Sequence, residues 1–128
     1  MKLVTFRIDH ELYAVAVEAV RSIEKVQPIR PVPHAPEHVV GIMNLRGVVM
    51  TVADLRSIMH FPLGDFTEDT RLMVIGQTAF VVDEALDVQD ISEDQLEMRD
   101  EISDLVLGIV QNNDQLVVVI NDQELAAY

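Results

Sequence analysis

Val4, Phe6 and Ile8 alternate with Leu3, Thr5 and Arg7, the period-two pattern of a half-buried strand. Asp9-His10-Glu11 reads as a polar turn, and 12–17 resumes the extended pattern, closing a first hairpin. The pattern then changes. Val20, Ile23 and Val26 recur at a spacing of three, which predicts a short helical turn that relaxes into extended chain. Four prolines between 28 and 36 exclude a regular helix or a central strand there. Apolar residues alternate with those prolines, so the stretch reads as an ordered segment crossing the protein and not as an interdomain linker. Ala35-Pro36-Glu37-His38 predicts a single helical turn.

The central feature is Gly41-Ile42-Met43-Asn44-Leu45-Arg46-Gly47, followed by an apolar run from Val48 to Ala53. It predicts strands over 39–45 and 48–52 joined by a tight turn around Gly47, then a short helix over 54–60 capped by Asp54. A loop over 61–69 carries Pro62 and Gly64. Strands follow at 72–75 and 79–83, joined at Gly76-Gln77, and a third at 86–91. Ser92-Glu93-Asp94-Gln95 resembles a helix start. Strands at 105–110 and 116–120 flank an Asn112-Asn113-Asp114 turn, and Asn121 caps a final helix over 122–127. About nine short strands with sparse helices predict an all-β sandwich or barrel. No internal repeat stands out, although a strand-rich block lies on each side of the 61–69 loop.

Composition narrows the function. A chain of 128 residues, 49% hydrophobic and 24% charged, reads as one ordinary globular domain over 1–128. Cysteine is absent, so disulfides, thiolate nucleophiles and Cys-ligated metals are excluded. The N-terminal pattern lacks the apolar region of a signal peptide, and a cytoplasmic protein is expected. The net charge of −13 disfavours nucleic acid and anionic membrane surfaces as direct partners. Ten acids and one base, Arg99, lie between Asp83 and Asp104. Such a run is a solvated face or an acidic surface that steers a basic partner.

Candidate chemistry is sparse. His34 and His38 have the i, i+4 spacing of a helical metal pair, but Pro36 lies between them and no HExxH surrounds them, so no metal or cofactor is expected. Asp9, Asp54 and Asp83 read as turn and cap residues; nothing pairs them for acid–base work. No GxSxG or Walker A motif is present, and without Trp there is no stacking platform. No catalytic residue is assigned. Arg46 stands out as a fixed charge in an apolar hairpin, either reaching outward or held by partners.

These residues resemble the CheW family of bacterial chemotaxis coupling proteins over nearly the whole chain. The resemblance rests on Tyr13-Ala14-Val15, Val20 with Ile23, Pro33-x-Ala35-Pro36, Gly41-x-x-Asn44-Leu45-Arg46-Gly47, Asp54-Leu55-Arg56, Val81-Val82-Asp83 and Leu107-Gly108. It implies two intermeshed five-stranded SH3-like β-barrels with short helices. It also implies a non-catalytic adaptor, recruited to membrane receptor arrays. Its partners would be the regulatory domain of a CheA-type histidine kinase, docked on a barrel end, and the cytoplasmic tip of methyl-accepting chemoreceptors, held in an apolar groove between the barrels. Val20, Ile23, Gly41, Asn44, Leu45, Arg46 and Gly47 are the implied partner-binding residues.

The chain departs from the family pattern in several places. The Gly76-Gln77 hairpin and the stretch from Gln95 to Gly108 are shorter, Thr51 stands where proline is usual, and Ser22 occupies a position that is often acidic. These departures leave open a divergent CheW-like scaffold of a pilus or gliding pathway with altered kinase binding. A small enzyme is the third reading, and a convergent nucleophile–base pair would favour it. Arg46 is left open between a structural pairing and a partner contact.

Overall fold

The structure is a computed structural model that describes residues 1–128. It contains eleven strands: β1 (Lys2–Ile8), β2 (Glu11–Ala16), β3 (Val20–Lys25), β4 (Val39–Leu45), β5 (Val48–Asp54), β6 (Arg71–Ile75), β7 (Thr78–Val82), β8 (Glu84–Asp90), β9 (Leu96–Met98), β10 (Val106–Asn112) and β11 (Gln115–Ile120). Two short helices, α1 (Leu55–Ile58) and α2 (Asp122–Ala126), follow β5 and β11. Their caps are those read from the sequence: the Arg56 N–H donates to Asp54 Oδ1 at 2.9 Å, and the Gln123 N–H to Asn121 Oδ1 at 3.1 Å. The fold is all-β in two intermeshed sheets. One sheet is six-stranded, in the order β8-β1-β2-β11-β10-β9, and the other is five-stranded, in the order β3-β6-β7-β5-β4. The expected two intermeshed β-units are present as these two sheets, and β9, a three-residue strand on β10 that the irregular polarity of its neighbourhood concealed, adds a sixth strand to one of them.

The spacing of Val20 and Ile23 has a different cause from the one expected. A single 3-10 turn occupies Val17–Ala19, and 20–25 is a strand. On β6, Val20 lies opposite Ile75 while Ser22 lies opposite its neighbour Val74, so Arg21 is an extra, bulged residue. The bulge puts Val20 and Ile23 on one face, opposite Ile75 and Met73. Ser22 and Glu24 take the other face, opposite Val74 and Leu72. A spacing of three in a bulged strand mimics a helical turn.

Three apolar clusters hold the molecule together. Met43, Leu45, Met50, Val52, Leu72, Val74, Ala79 and Val81 all come from the five-stranded sheet and are at most 7% exposed. Only Ile29 and Val40 pack on them from outside that buried set, so this sheet curls over its own core. Leu3, Ala14, Ile91, Val110, Val117 and Val119 form the counterpart in the six-stranded sheet. The largest cluster lies between the sheets and draws on both, with Phe6, Ile8 and Val15 from one and Met73, Ile75 and Phe80 from the other.

The two strand-rich blocks prove to be structural repeats. Gly41 and Gly108, Val52 and Val119, Asp54 and Asn121, and Ile58 and Leu125 are each separated by the same number of residues. The β4–β5 pairing, with Gly41 opposite Val52, is reproduced at that offset by β10–β11, with Gly108 opposite Val119. Even the isolated bridge of Arg30 to Ile42 has its counterpart in Glu97 opposite Ile109. The edge strands are exchanged between the blocks: β3 pairs with β6, and β8 with β1. The parallel pairs β5 with β7 and β11 with β2 also cross between them.

Gly41 makes one of these repeats possible. A Cβ at this position would lie 2.2 Å from the Arg30 carbonyl oxygen, so the crossing segment and the β4 bulge could not meet. Gly41→Ala is expected to lower unfolding free energy by about 3 kcal/mol in urea titrations. At Gly76 the space is open and only the left-handed backbone, φ +62°, opposes a side chain, so Gly76→Ala is expected to cost about 1 kcal/mol.

Candidate functional site

The β4–β5 turn is the centre of the site. Leu45 pairs with Val48, leaving Arg46-Gly47 as a two-residue loop with φ +49° and +89°. Positive φ at both positions matches the right-handed twist of the strands it joins. Asn44 holds the loop, its Oδ1 accepting from the Gly47 N–H at 2.8 Å. Arg46 therefore stands at the tip of the hairpin, on its left-handed position. Its side chain is 68% exposed.

The guanidinium is nevertheless fixed. Arg46 Nη2 donates to Glu24 Oε2 at 2.9 Å and Nη1 to Oε1 at 3.2 Å, a two-point fork onto edge strand β3. The hydrogen bond from Arg46, seconded by one from Ser22, lowers the Glu24 carboxyl from 4.5 to about 2. Ser22 thus supports the acid instead of being it; the acid lies two residues further on, on the same face of β3. Around the pair, Arg21, Ser22, Leu45, Val48, Met50 and Val74 line a shallow mouth of about 340 Å³ at the end of the five-stranded sheet. Val48 is exposed there, at 55%.

The structure divides the residues singled out in the sequence. Leu45 and Arg46 line the mouth, and Asn44 and Gly47 shape its turn. Gly41 is buried at the far end of β4 beneath Arg30, in a packing role. Val20 and Ile23 lie on the opposite face of the sheet. Val20 packs against the core shared by the two sheets, and Ile23, 41% exposed, lies at its rim. These residues do not form one surface. Glu24, Arg21 and Val48 were missed. The signal for Glu24 was present: an acid two residues from Ser22 on an edge strand is on the same face.

A second charged cluster is structural. Arg56, 17% exposed, donates from Nε to Asp83 Oδ1 at 2.9 Å and from Nη2 to Asp83 Oδ2 at 2.5 Å, and its Nη1 reaches the Pro62 carbonyl at 2.8 Å. Asp83 Oδ2 also accepts the Asp9 N–H at 2.6 Å, and Asp9 Oδ1 lies 3.4 Å from Arg56 Nη2. The cluster ties α1 in one block to the β7–β8 junction in the other. Burial pushes the neighbouring Asp54 carboxyl up, against the opposing Arg56 N–H and charge. No cluster of three or more metal-ligating side chains is present, and the His38 ring packs edge-on to Tyr128 at 5.1 Å.

A family model described as "CheW-like domain" matches residues 2–127. The chemotaxis protein CheW of Bacillus subtilis is 34% identical over 127 residues, covering 96% of this chain and 78% of that protein. CheW of Helicobacter pylori is 28% identical, covering 98% and 81%. Among solved structures, the scaffolding protein CheW of Thermoanaerobacter tengcongensis superposes with a TM-score of 0.87 at 26% identity, covering 94% of this chain and 88% of that one.

Two predictions follow from the charges. Because Glu24 titrates near 2 in the folded chain, its pair with Arg46 contributes stability above pH 4.5, and that contribution is lost as pH falls toward 2. Carboxyl NMR should show this low value in the wild type and a return toward 4.5 in Arg46→Ala, with a modest fall in melting temperature at neutral pH that disappears as pH approaches 2. By contrast, Arg56→Ala strips a half-buried carboxylate of its partner and is expected to cost about 3 kcal/mol in chemical denaturation.

Proposed function

The chain belongs to the CheW family of chemotaxis coupling adaptors, and from that premise we propose how it couples. Its two partners are the regulatory domain of a CheA-type histidine kinase and the cytoplasmic tip of a chemoreceptor. The kinase domain docks on the Arg46 mouth, and the receptor tip lies along the apolar rim of the shared core at Ile23. The observation that carries this reading is the Arg46–Glu24 fork. It fixes a well-exposed guanidinium at the rim of an apolar mouth, so a partner meets a cation whose orientation is already settled. Val48 and Leu45 supply apolar contact beside it. Holding both partners at once raises the local concentration of each for the other, and the rigid fold sets their relative orientation.

No helix is long and apolar enough to cross a membrane, which fits a chain brought to receptors by protein contacts. The adaptor reading asks nothing of the chain beyond two surfaces held at a fixed distance.

Capture of a purified kinase regulatory domain and of a receptor tip fragment from the same organism tests the proposal. Arg46→Ala is expected to weaken kinase capture about tenfold, the equivalent of one charge-assisted contact, and to leave receptor capture unchanged. Ile23→Asp should do the reverse at wild-type stability. Val20→Asp is expected to lose stability by about 1–2 kcal/mol, because Val20 packs on the shared core. A wild-type chain that captures neither partner would overturn the reading.

A further inference from the structure

The internal repeat gives the six-stranded sheet a mouth of its own, and one charge is missing from it. At the repeat offset, Asn113 corresponds to Arg46, Asn112 to Leu45 and Thr5 to Leu72. The Asn113-Asp114 turn has the same left-handed form, with φ +52° and +65°. Glu24 lies opposite Leu72 on its edge strand. On β8, Leu86 and Asp87 share the bulge opposite Thr5, and Asp87 is the acid that stands there in the place of Glu24: the Thr5 hydroxyl donates to the Asp87 carbonyl at 2.8 Å and accepts from the Asp87 N–H at 3.1 Å. In the first mouth, then, an arginine on the turn grips an acid on the edge strand. In the second, the acid is present and the arginine is replaced by asparagine.

Asp87 makes no ion pair, and the lining of this mouth contains no Lys or Arg. The turn and edge strand are joined by a neutral bond instead, from Asn112 Nδ2 to Gln89 Oε1 at 2.8 Å. Thr5, Leu86, Asp87, Gln89, Asn112 and Asn113 surround a space of about 250 Å³. The Asp87 carboxylate and the amide oxygens offer acceptors, and Leu86, 40% exposed, offers an apolar wall. The acid-rich segment from Asp83 onward gives the approach a strongly negative field.

We propose that this second mouth receives an arginine side chain from a partner protein, filling in trans the place that Arg46 fills in cis in the first. A planar guanidinium suits a carboxylate flanked by amide oxygens better than the point charge of lysine does. The flanking residue on the partner is apolar, to meet Leu86. The site stands on the geometry of the repeat and does not depend on which proteins the chain couples.

The test is an amide NMR titration with a capped Leu-Arg-Leu peptide, alongside capped Leu-Gln-Leu and Leu-Lys-Leu. The arginine peptide is expected to give saturable shifts at Thr5, Asp87, Gln89, Asn112 and Asn113, weakened by added salt and about tenfold weaker in Asp87→Asn. Asn113→Arg, which supplies the guanidinium in cis, is expected to abolish the same shifts. Both positions are on the surface, so melting curves should match the wild type; if one variant unfolds, the other decides. The inference is overturned by the absence of saturable shifts, by shifts that survive both substitutions, or by equal binding of the glutamine or lysine peptide. A concentration-dependent dimer lost in Asp87→Asn would overturn it in favour of a second copy of this chain.

Discussion

Neither block of this chain can complete its own sheet. The backbone groups of β3 are paired by β6 and those of β8 by β1, and the parallel contacts of β5 and β11 are also made across the divide. Every other feature rests on that exchange. The shared apolar cluster is buried only when both sheets are complete, because its members alternate between them. The Arg46 fork depends on the same arrangement. Glu24 lies on a strand that its own block cannot hold in place, and it meets the turn only after β6 has anchored β3.

The same constraint explains where the charges fall. The pair between Arg56 and Asp83 spans the two blocks near the loop that joins them, and it is sheltered enough to act as a structural clamp. The pair between Arg46 and Glu24 spans the strands at the open end of a sheet, where water screens it and its worth lies in orientation. Two bidentate arginine–carboxylate pairs, one end-on and one side-on, thus differ in role because their arginines differ in exposure.

Much of the fold was legible in the residues. Period-two alternation located most strands, and Asp54, Ser92 and Asn121 announced their turns by their capping chemistry. Two elements were hidden for identifiable reasons. The bulge at Arg21 turned strand alternation into a spacing of three, and β9 is too short to show a period. The repeat was invisible because each block keeps the apolar positions and glycines while changing almost everything else, as Arg46 against Asn113 shows. The site was half legible. The turn from Asn44 to Gly47 is a local signal, whereas the union of Arg46 with Glu24 depends on a pairing between β3 and β6 that no local pattern encodes. For the same reason Val20 and Ile23, adjacent to the site in the family resemblance, lie on the other side of the sheet.

The exchange of edge strands also sets the order in which the molecule can be made. A nascent chain that has emerged through α1 holds β1, β2, β4 and β5, but β3 has no neighbour until β6 follows, and β2 lacks its parallel partner until β11, almost the last element synthesised. Contacts of such long sequence separation close late and slowly. The open borders of β1 and β3 are left unpaired throughout that interval, as templates for stray strands. The interval between translation of the first block and arrival of the second is therefore when this chain is most open to mispairing.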